Sequence, residues 1–202
     1  DGHSTPRRKA ILAKQSTHII AVSNHTKKDI MQLLHTEEDK ISVVYHGCSI
    51  MPTTPAETPI LPTRYILYVG GRERTYKNFR MFLQAMSIVL SSEKIKIVCV
   101  GTPFTSEEKD YIQKLNLQKD ISTIYAKEDQ LYYIYSHALC FVYPSCYEGF
   151  GLPILEAWSA KCPIILSNSS CFPEIAGDAA LYFNQNDVSD LSGKILQLLQ
   201  SP

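Results

Sequence analysis

The sequence has 202 residues, with 20 Lys+Arg against 20 Asp+Glu, 45% hydrophobic residues, 9 glycines and 11 prolines. This is ordinary globular composition, which excludes disorder, collagen and coiled coil. Zero formal net charge leaves no electrostatic footprint for nucleic acid or anionic lipid as a primary partner, so any bound anion must be held locally.

Six cysteines, at 48, 99, 140, 146, 162 and 171, fall in or beside apolar runs and form no C-x-x-C pair. Neither a disulfide framework nor a zinc site is expected, and a reduced, cytoplasmic protein is. The opening DGHSTPRRKAILAKQ is basic but lacks the apolar core of a signal peptide, and no window approaches a transmembrane span. Asp1 reads as an internal position of a longer protein.

Residues 1–50 show a helix, the strand THIIAV, a helix around Ile30 to Leu34, the strand ISVVY and then Gly47. Two strands cannot make a covered sheet, so this segment is expected to be the end of a domain whose earlier part lies elsewhere. Residues 51–62 contain four prolines and three threonines and read as a linker. Residues 63–202 form the main unit, and there apolar runs alternate with helical periods.

YILYV (65–69) is followed by Phe79, Phe82, Leu83, Met86 and Val89 at helical spacing. IKIVCV (95–100), apolar on both faces, suits a covered parallel strand. Thr105 and Glu108 then stand in capping-box register, ahead of a stripe of Tyr111, Ile112 and Leu115. ISTIY (121–125), a helix across Leu131, Ile134, Tyr135 and Ala138, and LCFVY (139–143) continue the alternation. A glycine-rich turn leads into a helix from about Pro153, stopped at Cys162-Pro163. The strand PIILS, short FPEIAG, the strand ALYF and a helix carrying Leu191, Ile195, Leu198 and Leu199 complete the chain. Six strands joined by helices predict an α/β, doubly wound, Rossmann-like parallel sheet, with ligand at the carboxyl ends of the strands.

The common nucleotide and hydrolase signatures are missing. GGRERTYKN after the first strand and GTPF after the second supply neither G-x-G-x-x-G nor a P-loop, and H-E-x-x-H, G-x-S-x-G and D-x-D do not occur. The informative segment is SCYEGFGLPILEAW (145–158), placed where LCFVY ends. Gly149 and Gly151 let backbone approach a ligand, and the amides before Pro153 stand at the positive end of the next helix. Glu148 and Glu156 flank that seat and would repel a diphosphate, so they are read as acceptors for hydroxyls. A ligand with a central diphosphate between hydroxyl-rich rings, a sugar nucleotide, meets both demands. The opposing charge is expected from Arg72 and Lys77, behind Gly70 and Gly71, both aimed at one cleft; Arg74 is the alternative in the same turn. Such cations suit a reaction that builds negative charge on a departing diphosphate.

These residues resemble the C-terminal, donor-binding half of a GT-B glycosyltransferase, specifically the large retaining family four. The likeness is carried by the E-x7-E pattern from Glu148 to Glu156 in EGFGLPILE, by VGGRERTYKN, by FVYPS, and by AVSNHTKKDI with ISVVYHG at the domain junction. It implies a hexosyltransferase of polysaccharide biosynthesis, with Arg72, Lys77 and Glu148 as catalytic residues. Gly70, Gly71, Glu148, Gly149, Phe150, Gly151, Leu152 and Glu156 would bind the donor, and the loop near Tyr125 and Ala126 would meet the base. The donor would be a UDP-sugar or GDP-sugar, the acceptor a glycan or a lipid-linked sugar, with no metal or cofactor. The resemblance also implies a missing N-terminal acceptor domain, without which the chain is expected to be inactive. It implies as well a terminal helix crossing back to that domain, for which no segment is evident, and a peripheral membrane contact in the longer protein.

Within the donor set, Phe150 is read chiefly as a wedge that seats the loop in the core. His46 and His137 are read as structural or solvent-facing, and the tyrosines at 132, 133, 135 and 143 as packing. Two other readings stay open: a non-catalytic sugar-nucleotide-binding module, and a GT-B-like epimerase or phosphorylase.

Overall fold

The computed structural model describes residues 6–48 and 50–200. Two sheets are present. A helix α1 (Pro6–Gln15), strand β1 (Ile19–Ala21), helix α2 (Asn24–Leu34) and strand β2 (Ile41–Val43) form a first unit, in which β1 and β2 pair in parallel. Ser23 caps α2, its side chain accepting from Thr26 N. Residues 51–63, rich in proline, carry no helix or strand. They are nonetheless tied down: Ala56 N donates to Asp129 and Gln130 Nε2 donates to Glu57 O at 2.9 Å.

The second unit runs β3 (Tyr65–Val69), α3 (Phe79–Val89), β4 (Lys96–Val100), α4 (Ser106–Lys114), β5 (Ile121–Ile124), α5 (Glu128–His137), β6 (Cys140–Tyr143), α6 (Leu152–Ser159), β7 (Ile164–Ser167), α7 (Phe172–Ala176), β8 (Leu181–Phe183) and α8 (Val188–Gln200). Its strands are all parallel, in the order β5-β4-β3-β6-β7-β8. The six predicted strands and their alternation with helices are therefore present. Between β3 and β6 the chain changes the direction in which it adds strands, which is the switch point of a doubly wound sheet.

Strand alternation sends Ile66, Tyr68, Ile97, Cys99 and Val142 to one face, covered by α3, α4 and α8. Leu67, Val98, Phe141 and Leu166 face the other side, covered by α5, α6 and α7. Burial on both faces is why these strands read as unbroken apolar runs. All five residues of the predicted α3 stripe are buried, and the predicted capping box at Thr105 and Glu108 is formed. In α4 only Ile112 is buried, because that helix covers the sheet margin. The helix after the glycine-rich turn ends at Ser159, one turn before Cys162-Pro163, with Lys161 in the left-handed region at φ 56°. Among the described residues no helix is long and apolar enough to cross a membrane.

Candidate functional site

The turns after β3 and β6 meet at the switch point because the two strands are neighbours in the sheet. Cys146 N donates to Tyr76 O at 2.7 Å, joining one loop to the other. This bond brings Lys77, on a short 3-10 turn (Thr75–Lys77), beside Glu148. Lys77 Nζ lies 2.7 Å from Glu148 Oε1, with side-chain exposures of 16% and 15%, so the pair is partly dry yet reachable from solvent. The Tyr143 ring sits 5.5 Å from Lys77 Nζ. Burial first, then the Glu148 charge and a hydrogen bond to it, push the Tyr143 phenol far above its usual range, so it stays a donor to that carboxylate.

Past Glu148 the chain turns into α6 through Gly151, whose φ of 93° is left-handed. A Cβ there would sit 3.0 Å from Phe172 Cε1 and 3.1 Å from Ile154 Cδ1, so glycine is required by conformation and by space. Gly151 occupies the N-cap position and has no side chain with which to cap the helix. The Leu152 side chain is 39% exposed, and the amides of this first turn are positioned for an anionic group. One turn on, Glu156 Oε2 accepts from Tyr135 Oη at 2.9 Å. Burial pushes the Glu156 carboxyl up, and the Tyr135 hydrogen bond partly offsets it.

Lys77, Glu148, Gly149, Gly151, Leu152 and Glu156 are thus gathered around one turn at the end of β6, opposite Gly70 and Gly71 at the end of β3. Gly70 has a φ of 136°, a conformation that favours glycine, and its Cβ position lies 4.0 Å from Lys77 Nζ. Tyr125, just past β5, is 83% exposed.

Two residues of the expected donor set are held by protein neighbours. Arg72 is tied to the turn after β4. Its side chain is 3% exposed, its Nε donates to Glu108 Oε1 at 2.8 Å, and its Nη2 donates to the carbonyls of Thr102 at 2.6 Å and Pro103 at 3.2 Å. The Phe104 ring lies 4.9 Å from its guanidinium. The carboxylate that closes the α4 capping box, together with two carbonyls and an aromatic face, outcompetes open solvent for the guanidinium. Phe150 is not a ligand-facing side chain. It is 5% exposed and packs on Tyr45 and His46, with ring centroids 5.8 and 5.1 Å away, which is the wedge role. His46 is accordingly a packing residue.

Sequence reasoning missed the polar duties of Tyr135 and Tyr143, assigned above to packing. Both are also packed, Tyr135 fully buried, and only their hydroxyls reach the acids. It also missed Ser170, whose Oγ accepts from Glu148 N at 3.0 Å and donates to Glu148 O at 2.6 Å. Its signal was the run SNSS after β7, a loop bound to lie beside the end of β6. A cavity of about 520 Å³ opens between the Arg72 turn and α4, but none of Lys77, Glu148 and Glu156 lines it. Among the described residues, no group of three or more His, Cys, Asp or Glu is arranged to hold a metal ion.

Residues 51–202 match the family described as "Glycosyl transferases group 1". The chain is 36% identical over 196 residues to O-antigen chain mannosyltransferase B of Escherichia coli, covering 90% of the chain and 51% of that protein. It is 28% identical over 190 residues to O-antigen chain mannosyltransferase RfbU of Salmonella typhimurium, covering 94% of the chain and 53% of that protein. The chain therefore spans about half the length of these curated relatives. In fold it is similar to sucrose-phosphate synthase from Thermosynechococcus elongatus, with a TM-score of 0.78 at 20% identity over 98% of this chain and 52% of that one.

Proposed function

Since the chain belongs to the group 1 glycosyl transferases, we propose that it is the donor-binding half of a hexosyltransferase that takes its sugar from a nucleoside diphosphate. The observation that carries this reading is the Lys77–Glu148 pair, set at the sheet's switch point against the Gly151-led start of α6. On donor binding the sugar hydroxyls replace Lys77 as donors to Glu148. The freed ammonium and the first amides of α6 then hold the diphosphate. Glu156, kept in place by Tyr135, accepts from the ribose hydroxyls.

In the reaction the bond from the anomeric carbon to the phosphate oxygen breaks, and its electron pair leaves with the diphosphate. Lys77 and the α6 amides stabilise that charge more strongly than they stabilise the intact donor, which is what accelerates the step. The acceptor oxygen bonds to the same carbon, with retention of configuration, and its proton passes to the departing diphosphate oxygen. The acceptor, a glycan or a lipid-linked sugar, sits against the rest of the longer protein. Mannosyltransferase relatives favour mannose as the sugar, and the cysteine usage favours a cytoplasmic setting.

Titration of this chain with GDP and with UDP by calorimetry tests the reading. Lys77→Ala and Glu156→Ala are each expected to weaken binding roughly tenfold or more, the scale of one charge-assisted hydrogen bond. Unchanged affinity in both variants would overturn it.

A further inference from the structure

Glu148 stands on a loop that its own unit does not hold alone. The carbonyl of the next residue, Gly149, accepts from Ser23 Oγ at 2.7 Å and from Thr26 Oγ1 at 3.0 Å, both at the start of α2 in the first unit. A carbonyl has two lone pairs, so it can accept both bonds; Ser23 Oγ also stands 3.1 Å from Thr26 Oγ1 and shares its one proton between the two acceptors. Ser23 is fully buried. Gly149 packs directly against this segment, its Cβ position standing 3.5 Å from Thr26 Oγ1 and 3.7 Å from Val22 Cγ2, ordinary contact distances. Tyr147 Oη also bonds Asp29 Oδ2, further along α2.

A second set of bonds closes a ring. Glu174, on α7, accepts from Asn24 N at 2.6 Å, His25 N at 3.0 Å, Asn24 Nδ2 at 3.0 Å and Tyr45 Oη at 2.7 Å. The start of α2 is thereby bolted to the segment whose Ser170 already grips both backbone groups of Glu148.

We propose that Thr26, Ser23 and Glu174 are positioning residues for sugar transfer: the start of α2 clamps the 147–149 loop and so fixes where the Glu148 carboxylate stands relative to Lys77. The proposal rests on the donor-site reading above. None of the three residues has to touch the donor. Their effect passes through one backbone carbonyl, and a shift of about 1 Å at a reacting group costs up to about a hundredfold in rate.

Thr26→Val keeps the shape of the side chain and removes only the hydroxyl that reaches the loop, while Thr26→Ser retains it. Hydrogen exchange of this chain without ligand is expected to speed up roughly tenfold at the amides of residues 147–151 in Thr26→Val, and to return to normal in Thr26→Ser. With the full-length protein and GDP-mannose as donor, turnover in Thr26→Val should fall about tenfold, while affinity for GDP changes less than threefold. GDP meets Lys77 and α6, whereas the sugar meets Glu148, and a general loss of folding would lower both together.

Unchanged exchange at 147–151 overturns the clamp. Faster exchange with unaltered turnover overturns its role in transfer. If the unaltered protein binds neither GDP nor UDP and transfers no sugar, the donor-site reading fails, and this role in transfer fails with it. Should Thr26→Val not fold, Glu174→Gln is put through the same measurements, with the same results deciding.

Discussion

Two side chains with similar expectations at the sequence level have different work in the fold. Arg72 is a bridge between the β3 and β4 turns, and removing it strands a partly buried Glu108 carboxylate and two carbonyls. Arg72→Ala is therefore expected to lower stability by about 2 kcal/mol, seen as an earlier midpoint in urea unfolding at an unchanged slope. Glu156 behaves in the opposite way. Burial raises its carboxyl above the usual value, so its contribution favours folding below the unfolded value and is lost as pH rises through the folded one. Glu156→Gln should melt higher than the unaltered protein at pH 7, and the gap should narrow as the buffer is taken down towards pH 4. The same variant should bind GDP and UDP less well, since an ionised acceptor outranks an amide for ribose hydroxyls. At this scale Lys77, Glu148 and Glu156 were legible as residue types at the end of a strand. The tyrosines beside the two acids were not, because Tyr135 and Tyr143 act through the tips of side chains whose bulk reads as core.

Among the elements, α6 decides the site. Its N-cap glycine carries a left-handed φ and its would-be Cβ meets Phe172 and Ile154. Gly151→Ala combines backbone strain with a clash, and is expected to cost about 2 kcal/mol, or a fall of roughly 5 °C in melting temperature. Because the strain tilts the first turn, nucleotide affinity should fall with it, which a thermal-shift series at rising GDP concentration would record as a reduced upward shift. The glycine was legible in the sequence as a point of close backbone approach. What it approaches was not, since Phe172 is 21 residues away in the chain and comes near only through the pairing of β6 with β7. The capping box of α4 was equally readable from Thr105 and Glu108, but that Glu108 also receives Arg72 could be seen only in three dimensions.

For the molecule as a whole, alternating apolar runs and helical periods predicted the doubly wound sheet, while the order of its strands, β5-β4-β3-β6-β7-β8, is seen only in the structure. The meeting of the 70–78 and 144–151 turns is a consequence of that order. The docking of α2 on the far loop was not legible: Ser23 and Thr26 lie in AVSNHTKKDI and Gly149 in EGFGLPILE, more than a hundred positions away, and neither segment read alone points to the other. One feature of this arrangement bears on selectivity in a cell crowded with phosphates. Lys77 arrives already neutralised by Glu148, so a bare anion such as pyrophosphate gains a cation only by orphaning an acid. On the donor-site reading proposed above, a guest that carries its own hydroxyls to the abandoned carboxylate would recover that loss, and the ion pair would act as a filter that admits sugar-bearing diphosphates ahead of simpler ones.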